Sequence, residues 1–423
     1  MIILVYFHRL VGVASALLFL SACASGGGSI PDGDWESRIQ TQEKNGILVS
    51  AAVPSAKEAK QLFAKPLYQE GIQPVWLEIT NNSDTLVTFL PVGLDAQYFT
   101  PLEVANNDFE KKDPDAPVKL VNTFFLDQSI IDLRLEPGET RRGFIFSKLD
   151  EGTKAFNVDI VGNPGGENTD FLSFTFFIPV PGLNIDHYDV DWKNLYADDK
   201  WIDLSKDELI EAIEGFTCCV TDKGGSNNGD PLNLVIIGQP RDVYTAFIRA
   251  GWDETEKVTR TSTVKTIASF LSGGEYRYSP VSGLYVFGRS QDIAFQKARE
   301  NIHERNHLRL WMSWVRYEGI PVWMGQISRD IGVRFTTKTI TTHKIDPNVD
   351  ETREYLLEDL AYAQSLLRMG YVGGVGAVPI DQPKGNLTGD PWFSDGFRLV
   401  LWLSSKPVPI DEPQPLNWRN PFQ

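Results

Sequence analysis

The first residues that could do chemistry alternate along one predicted strand. The segment His307-Leu308-Arg309-Leu310-Trp311 places His307, Arg309 and Trp311 on one face and the two leucines on the other. A histidine can take up or release a proton near neutral pH, and an arginine can hold an anion through its N–H donors. This face therefore predicts a ligand-binding recess, although an ordinary solvated sheet face has the same pattern.

A second group of candidates surrounds the start of a predicted helix: His343, Asp346, Asp350 and Arg353. Asp346 would suit the N-cap and Pro347 the first helical position, while Asp350 would complement the positive end of the helix dipole. Capping explains the acids and leaves His343 and Arg353 without a role. Because a helix N-terminus beside a histidine can also bind an anion, we predict that both groups form one polar pocket.

Two functions fit such a pocket. We favour the binding of an envelope protein or a lipid-derived ligand, or a scaffold role, over catalysis, but whether the protein is an enzyme stays open. The alternative is a hydrolase of envelope phosphoesters, in which His343 or His307 acts as acid/base and Arg353 or Arg309 holds the anion. We find no catalytic serine elbow or phosphate-binding loop. His303 and His307 have the spacing of a metal-binding helix but precede a predicted strand, so we expect neither a cofactor nor a metal.

The charge balance excludes one class of partner. The chain has 423 residues, 40 Lys+Arg and 56 Asp+Glu, for a formal net charge of −16. Nucleic-acid binding depends on clustered basic residues, so we predict no nucleic-acid partner. The hydrophobic content of 42% supports folded cores, and the length is typical of two or three domains.

The N-terminus has the features of a bacterial lipoprotein signal. Arg9 precedes an apolar run over residues 10–20, which is shorter than the roughly 20 residues that span a bilayer as a helix. The tetrapeptide Leu20-Ser21-Ala22-Cys23 resembles a lipobox, in which the chain is cut before a cysteine that becomes acylated. We predict a signal peptide over residues 1–22, a lipid anchor on Cys23 that holds the protein to a membrane, and, from Ala24, the outer membrane.

The remaining patterns predict an α+β multidomain protein, with an N-terminal antiparallel β-sandwich followed by a mixed α/β domain. In the first domain, Gln73 to Thr80 alternates apolar and polar residues as a half-buried strand does. The predicted segments are a flexible tether (23–45), an immunoglobulin-like β-sandwich (46–182), a connecting segment (183–230) with a short helical patch near Lys206–Glu214, the mixed domain (231–408) and a Pro-rich tail (409–423).

Within the mixed domain, Glu318-Gly319 predicts the turn of a hairpin between His307 and Ile327. Helical spacing predicts helices over the ranges Arg241–Gly251, Thr263–Leu271 and Pro347–Met369, the last of which is followed by a glycine-rich loop. The adjacent Cys218 and Cys219 are either a pair of thiols or a vicinal disulfide, and both alternatives stay open.

Four segments suggest a family: Leu232–Gly238, Leu284-Tyr285-Val286-Phe287-Gly288-Arg289-Ser290-Gln291-Asp292, His307-Leu308-Arg309-Leu310-Trp311 and His343-Lys344-Ile345-Asp346-Pro347-Asn348-Val349-Asp350. In this order they resemble the LssY-like C-terminal domain over about residues 230–408. The resemblance implies a domain that occurs alone or appended to membrane proteins with phosphatidic-acid-phosphatase-like segments. Here an immunoglobulin-like domain with a lipid anchor takes the place of those segments, so a phosphatase function is not carried over.

The lipobox leads to the first testable prediction. Cys23 supplies the only thiol at the expected cleavage site, so metabolic labelling with a palmitate analogue should be lost in Cys23→Ser. The double variant Cys218→Ser/Cys219→Ser is the control and should still be labelled. Labelling that persists in Cys23→Ser would contradict the lipoprotein prediction.

Overall fold

The structure is a computed structural model that describes residues 33–106, 118–162, 170–183, 185, 190–256, 283–298, 305–334 and 342–418. The predicted signal peptide, Cys23 and the helix expected at Thr263–Leu271 lie outside the described residues. Within them, the fold is a mixed α+β arrangement, with N-terminal antiparallel sheets and a C-terminal mixed sheet with helices. None of the helices described there is long and apolar enough to cross a membrane.

The N-terminal part is built from strands that form two four-stranded sheets, ordered β1-β2-β3-β6 and β5-β4-β7-β8. The strands are β1 (Gln40–Lys44), β2 (Ile47–Ala52), β3 (Ile72–Asn81), β4 (Val87–Leu90), β5 (Arg134–Leu135), β6 (Thr140–Lys148), β7 (Thr153–Gly162) and β8 (Asp170–Pro179). Alternate residues such as Val75, Leu77 and Ile79 point between the sheets and pack against Val158 and Phe174. This shared core makes the pair of sheets a β-sandwich.

Three helices cover the outer face of the sheet that contains β3 and β6: α1 (Ala56–Phe63), α2 (Pro101–Asn106) and α3 (Val118–Asp127). Helix α1 begins with a capping box formed by Ser55 and Glu58, which satisfies backbone donors at its start. Phe63 and Phe125 from these helices pack on Phe144 and Phe146 of β6. The sandwich therefore has a second, aromatic core outside it.

The C-terminal part is dominated by one ten-stranded mixed sheet, ordered β13-β16-β17-β18-β12-β23-β20-β24, with β9 beside β17 and β19 beside β18. Its strands are β9 (Ile202–Leu204), β12 (Leu234–Ile237), β13 (Asp253–Glu254), β16 (Ile293–Ala298), β17 (Arg305–Tyr317), β18 (Ile320–Arg334), β19 (Thr342–Ile345), β20 (Leu366–Val372), β23 (Arg398–Leu403) and β24 (Gln414–Pro415). Smaller sheets contain β10 (Cys219–Thr221), β11 (Asn228–Pro231), β14 (Tyr285–Val286) and β15 (Arg289–Ser290), and β21 (Lys384–Gly385) with β22 (Pro391–Trp392).

Both faces of this large sheet are buried. On one face, Leu308 and Leu310 pack against α5 (Pro240–Arg249) and α6 (Val349–Tyr362). On the other face, Trp311 packs against α4 (Lys206–Gly215). Side chains that point to either side of β17 therefore enter a protein interior rather than solvent.

The predicted hairpin is confirmed. β17 and β18 pair antiparallel, and Glu318 and Gly319 between them both have positive φ angles of 51° and 74°. Two successive residues of this kind form the turn whose twist matches that of the flanking strands.

The longest predicted helix, Pro347–Met369, extends further than the helix in the structure. Helix α6 ends at Tyr362, and Gln364 adopts a left-handed backbone with φ of 55°. The apolar residues after it belong to β20, which extends to Val372 and includes the first glycine of the predicted loop, Gly370. Leucines at the junction fit a helical stripe and a strand equally well, so periodicity placed this boundary wrongly.

Three predicted segment boundaries differ from the structure. Strand β1 occupies the last part of the predicted tether and pairs with β2. The predicted connecting segment contains α4, whose Leu209 and Ile213 are fully buried in the C-terminal core. The Pro-rich tail supplies β24, which pairs with β20. Polar and turn-forming composition concealed β1 and β24, because each is short and draws its stability from tertiary packing. The helical patch of α4 was recognised, but it was assigned to the connecting segment rather than to the C-terminal core.

Gly325 gives a prediction for the core of the large sheet. It lies between Leu234 and Leu310, and a Cβ added there would come within 2.9 Å of a carbon atom of each. We expect Gly325→Ala to lower the free energy of unfolding by about 1–3 kcal/mol through overpacking, measured by urea denaturation. Gly332→Ala in the same strand is the matched control, since a Cβ there meets nothing within 4 Å. Equal denaturation midpoints for the two variants would contradict this packing.

Candidate functional site

A layer of buried polar side chains lies on the α4 side of β17 and β18. The Nε2 atom of His307 is 2.5 Å from Oδ2 of Asp330, and the Nη1 atom of Arg309 donates to Oε1 of Gln326 at 2.9 Å. His307 is 7% exposed, Arg309 8% and Gln326 0%. We call Asp230, His307, Arg309, Gln326 and Asp330, together with the adjacent Trp311, the Arg309 layer.

The strand register explains how the layer forms. Arg309 lies directly opposite Gln326, and His307 lies opposite Ser328. In an antiparallel pair, directly opposite residues point to the same face. The sequence prediction that His307, Arg309 and Trp311 share a face is therefore confirmed, but that face is covered rather than solvated.

Three N–H donors in this layer have no hydrogen-bond partner among the described residues. They are Nε of Arg309, Nε2 of Gln326 and Nε1 of Trp311, and each atom is buried. Leaving a buried donor unsatisfied costs about 1–3 kcal/mol. Three such donors on one sheet face indicate a place that an acceptor group can occupy.

Burial shifts the pKa values of two charged side chains in the layer. Burial raises the pKa of Asp230, although the hydrogen bond from Asn386 and the charge of Arg309 act in the opposite direction. Burial lowers the pKa of Arg309, against the influence of Asp230 and Asp330. Neither carboxylate lies within ion-pair distance of Arg309 in the described part of the chain, although the charges of both act on it.

Arg353 lies in a different environment. Its Nη1 and Nη2 atoms donate to the two carboxylate oxygens of Asp395 at 3.0 and 2.9 Å, and Nη1 also donates to the carbonyl of Phe397 at 2.8 Å. Nε and Nη2 donate to Glu354 at 3.0 and 2.8 Å. Burial lowers the pKa of Arg353, but these carboxylates outweigh it and raise the pKa overall. The guanidinium joins helix α6 to the loop before β23.

The acids at the start of α6 also have structural partners. Asp350 accepts hydrogen bonds from the hydroxyl of Ser394 at 2.9 Å and from the amide of Asp395 at 2.6 Å, and its burial raises its pKa. The prediction that Asp346 is the N-cap was wrong. Asn348 caps the helix, and Asp346 instead accepts from the amide of Asn348 at 2.9 Å.

Among the described side chains, Arg309 and Arg353 do not meet in the single predicted pocket. Leu308 and Leu310 face helix α6, which carries Arg353, whereas the intervening His307 and Arg309 face the opposite side of the sheet. The backbone of His343, in β19, pairs with that of Val333 in β18. The side chain of His343 lies outside the described part of the chain. The sequence groups thus separate into the Arg309 layer and a structural cross-link centred on Arg353.

Sequence reasoning missed three members of the layer. Gln326 and Asp330 belong to the alternation Gln326-x-Ser328-x-Asp330 in β18, and this period-two polar pattern was visible in the sequence. Asp230 lies in β11, within a segment interpreted as a connection. Only the folded sheet brings these residues next to Arg309.

The structure selects one alternative for the adjacent cysteines. Cys218 and Cys219 are joined by a disulfide, next to an apolar cluster that contains Trp392 and Val349. Among the described residues there is no group of three or more histidine, cysteine, aspartate or glutamate side chains that could hold a metal ion.

The fold and the buried layer together define a class, an α+β protein whose C-terminal sheet encloses a charged interior. Residues 211–397 match the model of the family described as the LssY C-terminus, so the chain contains an LssY C-terminal domain. The match begins within helix α4 and includes its second half, which agrees with the packing of this helix in that domain. The N-terminal β-sheet region is present, but its family is not identified. No curated protein matches the chain.

The structural role of Arg353 can be tested by its removal. We expect Arg353→Gln to lower the free energy of unfolding by about 1.5–3 kcal/mol, because buried hydrogen bonds to a charged group are lost. Arg141→Gln is the control, since Arg141 bonds exposed Asp132 and Glu139 on the surface and should cost less than about 1 kcal/mol. Equal decreases in the melting temperature of the two variants would contradict the proposed cross-link.

Proposed function

We propose that the protein is a lipid-anchored protein of the bacterial cell envelope, located at the outer membrane, that binds a ligand or partner through its LssY C-terminal domain. The lipobox-like segment supports the location. The observation that carries the binding role is the set of unpartnered donors around Arg309. These donors belong to the region that matches the family model.

The buried charge favours an acidic ligand group. A cation that leaves water is tolerated when a paired anion and hydrogen bonds replace its hydration. Arg309 is 8% exposed and, among the described residues, has one side-chain hydrogen bond, to the neutral oxygen of Gln326. A carboxylate or phosphate group would supply both the missing negative charge and the missing acceptors.

The spacing limits the size of this group. Directly opposite residues such as Arg309 and Gln326 have Cβ atoms about 4.5–5.5 Å apart, and Trp311 lies two residues along the strand, about 7 Å away. One carboxylate or phosphate can approach donors at this separation. A bulky ligand would present only its acidic end here, as a lipid-derived ligand or an acidic side chain of an envelope protein would.

One observation supports the hydrolase alternative. The contact of 2.5 Å between His307 and Asp330 is the arrangement in which a carboxylate orients a histidine for acid–base chemistry. Arg353 does not contribute to this alternative because its donors already bond Asp395, Glu354 and Phe397. A hydrolase would depend on His307 and Arg309, next to the proposed anion site.

The Trp311 indole offers a local measurement of binding. With ¹⁵N-tryptophan labelling, acetate and inorganic phosphate should shift the Trp311 indole N–H resonance, which Trp311→Phe identifies. Arg309→Gln should weaken the binding that causes this shift by about tenfold or more, the value of one lost charge-assisted bond. Arg316→Gln on the same strand is the control and should leave the shift unchanged.

The same samples separate binding from catalysis. A resonance that neither anion moves, or that moves equally in Arg309→Gln, would refute the binding site. Turnover of a chromogenic phosphomonoester that His307→Asn abolishes would establish the hydrolase instead. Binding without turnover is the expected result.

A further inference from the structure

A second basic group lies where the β-sandwich meets the C-terminal domain. It consists of Lys44 from β1, Arg241 and Arg249 from α5, and Lys406 after β23, and we call it the junction cluster. The Lys44 ammonium bonds the carbonyl of Ser173, and Arg241 bonds the carbonyl of Thr175. Both domains thus contribute cations to one junction.

These four cations lack close counter-charges. None of them forms an ion pair with a carboxylate in the described part of the chain, and the acids that influence them are Asp159 and Asp242. Other basic residues of the protein pair closely, as Arg38 does with Glu58 and Lys297 with Asp359.

The cations also repel one another. Burial lowers the pKa of Lys44, and the charges of Lys406 and Arg241 lower it further. Burial lowers the pKa of Arg249 as well. An anion placed among these groups would relieve the repulsion and replace lost hydration.

A cleft of about 500 Å³ opens beside Arg249, which lines it together with Thr245 from α5 and Asn157 and Asp159 from β7. The other charged side chains of its lining are Lys148, Lys154, Asp95, Asp150 and Asp253. Thr245 is 1% exposed, and its hydroxyl has no hydrogen-bond partner among the described residues. Arg241, Thr245 and Arg249 are spaced four residues apart and therefore lie on one face of the helix. The buried Thr245 hydroxyl thus lies on the helix face that also carries both arginines, and it lines the cleft together with Arg249.

Arg249 has capacity for a further partner. Its Nη2 atom bonds the carbonyl of Ser405 at 2.5 Å, whereas its contacts with Asn157, Gln364 and Ser365 are all 3.4 Å long. Contacts of that length are near the upper limit for a hydrogen bond. A tetrahedral oxyanion in the cleft could take over these donors and reach the Thr245 hydroxyl.

We propose that the junction cluster binds a phosphate group, with Arg249 and Thr245 as direct donors and Arg241, Lys44 and Lys406 supplying positive charge. The phosphate is either a free anion or the headgroup of an envelope lipid, since both present the same chemistry. This site is separate from the Arg309 layer, and neither proposal depends on the other.

The test uses the full mature chain carrying Cys23→Ser, so that no acyl group attaches it to membranes. Calorimetric titration with inorganic phosphate should show binding that Arg249→Gln weakens by about tenfold or more. Lys406→Gln should weaken it severalfold, and its ammonium makes no hydrogen bond that folding would lose in the described part of the chain. Arg142→Gln, which removes an exposed arginine from β6, should leave the affinity unchanged. The titrations are repeated in an Arg309→Gln background, so that phosphate bound at the Arg309 layer does not contribute to the heat.

Substitution of Asp159 tests whether the cleft prefers a negatively or a positively charged ligand. Its carboxylate would oppose a bound phosphate, so Asp159→Asn should tighten phosphate binding severalfold. A ligand that places an ammonium group on Asp159 would instead bind more weakly to this variant. Weaker phosphate binding in Asp159→Asn would overturn the proposed charge preference.

Vesicle flotation separates the two sources of phosphate. Retention on phosphatidylglycerol vesicles but not on phosphatidylcholine vesicles, lost in Arg249→Gln, would identify a lipid headgroup. Phosphate binding without retention would identify a free anion. Absence of both, or affinities unchanged in both Arg249→Gln and Lys406→Gln, would overturn the proposal.

Discussion

Burial of both faces of the ten-stranded sheet decides where the charges of the C-terminal domain can be placed. In a sheet with one solvated face, the polar positions of β17 and β18 would need no partners. Here α4 covers one face and α5 and α6 cover the other, so every polar side chain between them requires internal bonding. The pairing of Arg309 with Gln326 and of His307 with Asp330 follows from this constraint.

The same constraint separates two arginines that look equivalent in the sequence. Arg353 points from α6 towards a loop that supplies a carboxylate and a carbonyl, so its burial is compensated by a bidentate bond to Asp395. Arg309 points from a strand into a layer where neutral Gln326 faces it. Removing Arg353 should therefore disturb folding, whereas Arg309 retains the capacity to bind an incoming acid.

Sequence patterns predicted the parts of the fold that local chemistry determines. The turn Glu318-Gly319 and the alternation along β17 depend on neighbouring residues, and both were confirmed. Helix α4 was recognised as a helical patch, but its packing against distant strands was not, so it was assigned to a connection. No local pattern separated strand β24 from a tail. The candidate residues were correctly grouped within each element. Residue spacing, however, does not predict which side of the sheet α6 covers, because that depends on tertiary packing.

The distribution of charge also bears on how an anchored protein meets its ligands. An acidic body near an anionic membrane is repelled, so the predicted acyl group rather than a basic surface would have to hold it there. Because the acidic protein repels anions over most of its surface, an anion is attracted only where several cations lie close together, and a local basic cluster is therefore a selective anion site. Residues 44, 241, 249 and 406 come from separate parts of the chain and reach that density only when both domains are folded and in contact. Binding at this junction would thus stabilise the contact between the domains, and separation of the domains would remove the binding site.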